Sequence, residues 1–203
     1  MNILAVDTTG EALSVALRAG EKLLALERRL KAPHDETLLP AVDRLLGRAG
    51  IALEDLDAIA AASGPGRFTG IRIGMAFAAV ASSRMRIPAL AVSLLEAIAF
   101  QVPEGPVCAV VEGYRDERFY QVFGRGRQGP RPQGPPAWVA AQDWPGARAG
   151  LEGRGLLVAE RKTGAADLLE PAARHLSRGR LPRFEPLYLK PAGYEPRARG
   201  ARL

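Results

Sequence analysis

Two short stretches of the first hundred residues, 58–62 and 88–92, are apolar without any alternation of polar positions. Such runs are typical of strands buried in a sheet that is covered on both faces. Between them lie a glycine-rich segment at 63–68 and, from 69 to 84, apolar residues at helical spacing. The pattern therefore predicts a strand, a tight turn, a helix and a further strand.

The residues before this unit predict an antiparallel meander and an amphipathic helix. Residues 3–7 form an apolar strand that ends in an acid, apolar positions alternate from 13 to 17, and residues 22–29 give a third strand. From 35 to about 49, apolar residues recur at helical spacing opposite charged ones, which indicates a helix. We interpret His34, just before this helix, as structural.

The second half of the chain repeats the beginning of the first half in a thinner form. Strands at 107–112 and 118–123 enclose a glycine turn, and the first of them ends in an acid, as the first hairpin strand does. This indicates an internal duplication at a distance of about 105 residues. We therefore predict an α/β protein with two lobes and a basic tail that we expect to be disordered, with the boundaries 1–100, 101–190 and 191–203.

Weaker sequence patterns predict the remaining elements of the second lobe. Residues 124–136 are rich in Gly, Pro and Arg, which predicts a flexible loop or connector. A short strand at 156–159, a helix at 166–176 and a last short strand at 187–189 follow.

The composition narrows the class of protein. One cysteine, Cys108, excludes an internal disulfide and a cysteine metal cluster. We expect a cytoplasmic protein with no membrane contact, because the sequence contains neither a signal peptide nor an apolar run of membrane-spanning length.

The net charge of +6 lies entirely in the second half of the chain. Residues 101–203 carry 17 basic and 11 acidic residues, whereas residues 1–100 carry 11 of each. Arg outnumbers Lys by 24 to 4, and Arg suits phosphate recognition. RNA contact by the second half is therefore one hypothesis, and solvated surface arginines are the other.

The glycine-rich turn admits two interpretations. Its glycines permit a positive φ or a close backbone approach, and Thr69 would cap the helix that follows. Such a turn before a helix can bind an anion, or it can reverse the chain and bind nothing. It lacks the Lys-Ser/Thr pair of a P-loop. The residues that define this turn are Gly64, Pro65, Gly66, Phe68, Thr69 and Gly70.

The first hairpin turn is open to two interpretations as well. An acid at a strand end, followed by hydroxyls and a glycine, can hold a magnesium–phosphate group, or the acid can cap the backbone donors of the hairpin. The residues concerned are Asp7, Thr8, Thr9 and Gly10.

A stripe of small residues runs along the helix that begins near residue 69. Gly70, Gly74 and Ala78 follow one another at intervals of four residues, and such a stripe allows another element to approach closely. Apolar or small residues surround most of the helix from 71 to 81, so it needs cover on more than one side. That cover is either the protein's own sheet alone or, in part, a helix of a partner.

These features together resemble the TsaB family, also called YeaZ. The resemblance rests on residues 3–8, on His34 before the Leu-Leu-Pro of 38–40, on the glycine-rich phrase 64–74 and, near the end, on 185–189. It covers the first hundred residues strongly and the rest loosely. Members of this bacterial family are required for forming threonylcarbamoyladenosine in tRNA beside the anticodon.

The resemblance implies an actin-like ATPase (ASKHA) fold, in which each lobe is a mixed sheet with helices. It also implies that this chain is a non-catalytic subunit, which binds a catalytic paralogue, TsaD, together with a small ATPase, TsaE. The subunit would contact tRNA through the complex and would form a homodimer when alone. Helices of the N-terminal lobe would make the partner interface. On this basis we expect the interface residues to be Leu38, Ile71, Arg72, Gly74, Met75 and Ala78.

Comparison with the catalytic paralogue argues for a partner rather than a catalyst. Two metal-binding histidines of that paralogue match Leu94 and Ile98 here, and neither side chain can ligate a metal ion. In the second nucleotide loop, Glu112 and Gly113 are followed by bulky residues. We therefore expect no catalytic residue, no metal, a vestigial phosphate loop at Asp7 to Gly10 and no tightly bound cofactor, with ATP only at the partner or at the joint interface.

Two other functions remain as alternatives. One is an actin-like small-molecule kinase or ATPase, which needs a catalytic Asp and an intact second phosphate loop. The other is an RNA-binding module that uses the arginines of the second half.

Overall fold

Two sheets with related strand orders form the frame of the molecule. The computed structural model describes residues 1–29, 34–127, 129–179 and 181–190. The first sheet has the order β3-β2-β1-β4-β5, from β1 (Asn2–Asp7), β2 (Ala12–Ala19), β3 (Lys22–Arg29), β4 (Ala58–Gly64) and β5 (Ala89–Ser93). The second has the order β10-β6-β7-β8, from β6 (Val107–Glu112), β7 (Arg118–Gly126), β8 (Gly129–Pro132) and β10 (Leu157–Glu160), with β9 (Ala137–Val139) paired to β7.

The first four α-helices of the described residues lie between these strands along the chain, and the fifth follows β10. They are α1 (His34–Ala49), α2 (Phe68–Met85), α3 (Leu94–Gln101), α4 (Trp144–Gly153) and α5 (Leu169–Ser177). Short 3-10 turns precede α4 and α5. Within the described part of the chain, no helix has the length and apolar character needed to cross a membrane.

The strand pairing confirms the internal duplication. β1 is antiparallel to β2 and parallel to β4, and in the second sheet β6 is antiparallel to β7 and parallel to β10. Asp7 pairs with Ser14 at the end of the first hairpin, and Glu112 pairs with Arg118 at the end of the second. The two acids predicted from the sequence therefore occupy equivalent positions in the two sheets.

Helices cover both faces of each sheet, which explains the continuous apolar strands. Leu4 of β1 packs in a cluster with Leu45 of α1 and Ile71 of α2. Its neighbour Ile3 faces the other way and packs in a cluster with Leu169 of α5. Because successive strand residues point to opposite faces, a strand covered on both sides has to be apolar at every position.

Two helices, α3 and α5, pack on the sheet from the other side of the boundary predicted at residue 100. α5 comes from the second half of the chain, yet it packs on the first sheet. α3 comes from the first half, and its Leu95 and Ile98 pack against Val107 and Phe123 of the second sheet. The division into 1–100 and 101–190 remains a prediction. The predicted tail at 191–203 lies outside the described residues.

The prediction of a loop at 124–136 is wrong. β7 continues to Gly126 and pairs with β8, so this region is largely a strand pair. Its glycines leave room for side chains that cross the ribbon: a Cβ on Gly124 would lie 2.4 Å from Nε2 of Gln133, and one on Gly126 would lie 2.8 Å from Nε of Arg131. The glycines thus serve packing rather than chain flexibility.

Two other local predictions are also wrong. Helix α2 begins at Phe68 with Arg67 in the cap position, so Thr69 lies inside the first turn and is not the N-cap. The described residues 187–189 form no strand, although the Leu187 N–H donates a hydrogen bond to the Ser63 carbonyl oxygen at 2.8 Å. Helix α3 is capped by a side chain, since Ser93 Oγ accepts from the Leu95 N–H.

Candidate functional site

The glycine-rich turn between β4 and α2 packs directly on the hairpin turn that follows β1. A Cβ on Gly66 would lie 2.7 Å from the Thr9 carbonyl oxygen, and one on Gly74 would lie 2.6 Å from Thr8 Oγ1. A Cβ on Gly70 would overlap the Thr8 carbonyl oxygen. The two turns that the sequence singled out therefore form one junction, and three glycines permit it.

Gly64 is required for a different reason. Its φ is +112°, in the region that L side chains rarely adopt. A Cβ there would also lie 2.9 Å from Ile71 Cδ1 and 3.0 Å from the Leu187 carbonyl oxygen. The peptide bond between Gly64 and Pro65 is cis.

The polar groups of the predicted phosphate loop are buried and bonded to one another. Asp7 Oδ1 accepts from the Thr9 N–H at 2.9 Å and from Thr9 Oγ1 at 2.7 Å. Thr8 Oγ1 donates to the Gly70 carbonyl oxygen at 2.6 Å, and the Thr9 carbonyl oxygen accepts from the Arg67 N–H at 2.8 Å. Asp7, Thr8 and Thr9 are 6%, 1% and 2% exposed, while Gly10 is exposed. These groups fit a nucleotide phosphate poorly, because binding it would require breaking several buried hydrogen bonds.

The second loop is engaged in ion pairs and backbone contacts as well. Glu112 Oε1 lies 3.8 Å from a guanidinium nitrogen of Arg118, which also lies 2.6 Å from Glu160 Oε1 through Nε. The Gly113 N–H donates to the Glu117 carbonyl oxygen at 2.8 Å. The acid at the end of β6 is therefore part of an ion-pair group with an arginine.

The segment 185–190, here called the C-terminal strap, crosses the glycine-rich turn. The ring centroids of Tyr188 and Phe68 are 4.9 Å apart. Arg72 Nε donates to the Tyr188 hydroxyl at 3.2 Å, and its guanidinium lies 3.8 Å above the Phe68 ring. At the end of the strap, Lys190 Nζ lies 2.7 Å from Glu117 Oε2. The strap thus connects α2 of the first lobe with Glu117, the residue before β7 of the second.

A cavity of about 410 Å³ lies beneath the strap. Its lining is mostly apolar and comes from both lobes and from the strap, namely Pro65, Gly66, Phe68, Phe119, Leu187, Tyr188, Leu189 and Lys190. This convergence was not evident from sequence patterns, because Phe68, Phe119 and Tyr188 are far apart along the chain. The family-like motif at 185–189 was the only sequence feature that singled out the strap, and it did not indicate which residues the strap contacts.

The residues expected at the partner interface lie mostly inside the protein. Leu38, Ile71, Met75 and Ala78 are 3%, 1%, 6% and 0% exposed, and Gly74 is also buried. This part of the prediction needs correction, because the small stripe faces Thr8 and the first sheet rather than solvent. Only Arg72 of the six is exposed. Whether α2 contacts a partner remains a prediction.

The positions compared with the metal-binding histidines of the catalytic paralogue lie in α3. Leu94 is 5% exposed and Ile98 is fully buried, and both belong to apolar clusters. Among the described residues, no group of three or more His, Cys, Asp or Glu is arranged to hold a metal ion. His175 pairs with Glu96, with Nε2 3.0 Å from Oε1. The side chain of His34 lies outside the description.

Each sheet has an antiparallel hairpin whose first strand also pairs with a parallel strand, β4 or β10. Together with the helices on both faces, this arrangement places the chain in the actin-like ATPase (ASKHA) fold class. The family model described as TsaD, tRNA N6-adenosine threonylcarbamoyltransferase, matches residues 28–128. The solved structure of YeaZ from Pseudomonas aeruginosa superposes with a TM-score of 0.75 at 29% identity, over 93% of this chain and 99% of that one.

Curated proteins of similar sequence support the same family assignment. The tRNA threonylcarbamoyladenosine biosynthesis protein TsaB of Bacillus subtilis is 40% identical over 100 residues, 49% of this chain and 44% of the relative. That of Haemophilus influenzae is 34% identical over 123 residues, 61% of this chain and 52% of the relative. An uncharacterized protein of Mycobacterium bovis is 33% identical over 154 residues, 74% of this chain and 71% of the relative. The matched part spans about half the length of the TsaB relatives. The chain belongs to the TsaB (YeaZ) family.

Proposed function

We propose that this chain takes part in forming threonylcarbamoyladenosine in tRNA, as a non-catalytic partner of a TsaD-like catalytic subunit and a TsaE-like ATPase. The names of its TsaB relatives support the pathway. The observation that carries the non-catalytic role is the junction at Thr8 and Thr9, where both hydroxyls donate to groups of this chain. A loop whose donors are engaged in this way supports the fold more readily than it binds a phosphate.

Side-chain chemistry at α3 supports the same role. Leu94 and Ile98 have no lone pairs to offer to a metal ion and are packed in apolar clusters. Under this proposal the metal-dependent transfer belongs to the paralogue. ATP would bind the partner or the joint interface, not the loop after β1.

We place the partner surface on the exposed sides of α1 and α2, which pack next to each other on the first sheet. Val80 of α2 is 71% exposed and Leu39 of α1 is 57% exposed, although both are large and apolar. Ala76 and Arg72 are exposed about one and two turns before Val80. Exposed apolar side chains on neighbouring helices favour a helical interface, and the same surface would form the homodimer when the paralogue is absent.

The test is threonylcarbamoyl transfer to tRNA, with L-threonylcarbamoyl-adenylate supplied. We expect transfer when the TsaD-like paralogue and this chain are both present, and none with this chain alone. Transfer by the paralogue at the same rate without this chain would overturn the partner role. Transfer by this chain alone would overturn the non-catalytic assignment.

A further inference from the structure

The C-terminal strap is a surface segment without regular secondary structure. None of residues 185–190, all of which the structure describes, is buried, and none belongs to a helix or strand. The Leu187 N–H donates to the Ser63 carbonyl oxygen at 2.8 Å, which joins the backbone of the strap to the end of β4. A segment with so little buried contact opens at a lower free energy than the sheets that it crosses.

The strap does not fill the space that it covers. The cavity of about 410 Å³ beneath it is lined by apolar side chains of both lobes, among them Phe68 of α2 and Phe119 of β7. Protein interiors are normally packed without voids of this size, so the strap gains less contact energy than a packed segment would. The specific contacts of its side chains therefore decide how firmly the strap is held in place.

A buried carboxylate receives the end of the strap. Glu117 is 7% exposed, and its Oε2 accepts from Lys190 Nζ at 2.7 Å and from Trp138 Nε1 at 2.8 Å. Lys190 Nζ also lies 5.2 Å from the centroid of the Trp138 ring. A Cβ on Gly113 would lie 2.7 Å from Glu117 Cγ, so this glycine provides the space for the acidic side chain. The acceptor is thus held by groups outside the strap, and Lys190 is the part that can leave.

We propose that the strap is a lid that opens over this cavity while both sheets stay folded, and that the Lys190–Glu117 ion pair is its latch. A charge-assisted hydrogen bond to a largely buried carboxylate is stronger than one between neutral groups, so the pair favours the closed position. Opening breaks the pair and exposes apolar side chains such as Phe119, which is 7% exposed when the lid is closed. The lid therefore controls access to an apolar surface that both lobes share. This inference does not depend on the partner role proposed above.

Amide hydrogen exchange of the full chain tests the lid, with Leu187 as the reporter and Ile59 of β4 as the reference. Ile59 is fully buried and its N–H donates to the Pro88 carbonyl oxygen at 3.0 Å, so its exchange reports unfolding of the first sheet. Where exchange measures the opening equilibrium, Leu187 should exchange at least about a hundredfold faster than Ile59, after correction for the intrinsic rates. Its rate should also depend less on urea, because a local opening exposes less surface.

Substitutions of the two charged residues test the latch. Lys190→Met keeps the aliphatic stem and removes the charge, so the Leu187 amide should exchange about tenfold faster while the Ile59 rate stays unchanged. Glu117→Gln should also speed the exchange of Leu187, and the double variant should exchange about as fast as Lys190→Met alone, because the two residues act through one contact. Lys162→Met is the matched control, since Lys162 is exposed in the segment after β10, and both amides should keep their native rates.

Each part of the inference has a result that would overturn it. Equal rates and equal urea dependence for Leu187 and Ile59 in the native chain would mean that the strap opens only when the lobe unfolds. Exchange of Leu187 at the rate of an unstructured peptide would show that the lid is not closed. An unchanged Leu187 rate in Lys190→Met, an equal increase in Lys162→Met, or fully additive effects of Lys190→Met and Glu117→Gln would remove the latch.

Discussion

The Thr8 hydroxyl and the Gly70 carbonyl oxygen lie 2.6 Å apart and form a hydrogen bond between the turn after β1 and the first turn of α2. Both residues are buried, and Gly70 has no space for a side chain because its Cβ would overlap the Thr8 carbonyl oxygen. The glycine-rich motif at 64–74 is therefore explained by the contact between the turn after β1 and the start of α2. It stabilises the lobe and does not in itself indicate a ligand.

Gly70→Ala is expected to lower the free energy of unfolding by about 3 kcal/mol, because a methyl group forced against backbone atoms has to displace one of the two turns. Gly47→Ala is the matched control, since Gly47 is exposed within α1 and a Cβ there would have nothing within 4 Å. The control should raise the stability by about 0.5 to 1 kcal/mol through its helix propensity. Urea unfolding of both variants measures the difference. Equal stability of the two variants would contradict the packing explanation.

Titration of the isolated chain with Mg-ATP should give a Kd weaker than about 1 mM, equivalent to a binding free energy weaker than about −4 kcal/mol. The reason is that Thr8 and Thr9 already donate their hydroxyls within the protein, and Asp7 already accepts from Thr9. Calorimetry with the TsaE-like ATPase as the positive control measures this. A Kd below about 10 μM would show that the loop rearranges, and it would return the kinase interpretation to consideration.

The regular part of the fold follows from local patterns and was predictable. Continuous apolar runs predicted β1, β4, β5 and β6. The acid at the end of the first strand in each half of the chain predicted the duplication, which the strand pairing confirms. These features depend on residues that are close together in the chain. The same holds for the cap of α3, where Ser93 acts on a backbone group two residues away.

Contacts between distant segments were not predictable from periodicity. The stripe of Gly70, Gly74 and Ala78 suits a helix or a loop equally well, and only the fold shows that it faces Thr8. Likewise, the apolar pattern of α5 does not show which of two sheets it covers. A hydrophobic pattern reveals which face of an element is buried but not what buries it.

Val80→Asp is expected to weaken association with the TsaD-like paralogue by more than about 2 kcal/mol, or roughly thirtyfold in Kd. Val80 is 71% exposed, so the substitution should change the stability of the free chain by less than about 0.5 kcal/mol. Ile71→Asp is unsuitable for this test, because Ile71 is 1% exposed and a buried unpaired charge would unfold the lobe.

Leu157→Asp is the control for this substitution. Leu157 is 54% exposed and lies on β10 of the second sheet, away from α1 and α2 in the fold. We expect native affinity for the paralogue in this variant. Calorimetry or surface-based binding measurements on both variants decide the question, and an unchanged Kd for Val80→Asp would remove the exposed side of α2 from the interface.

Cys108 is expected to resist thiol reagents in the folded protein. It is fully buried in β6, and burial raises the pKa of its thiol from 9.0 to about 11, with the Arg154 charge opposing the shift. Because the unfolded chain releases this proton first, the contribution of Cys108 to stability is complete below about pH 9 and is lost as the pH rises through about 11. Labelling with a disulfide reagent at pH 8 should be slow until urea is added. Cys108→Ala should remove the stability decrease between these two pH values, and a decrease of the same size in that variant would assign it to other groups.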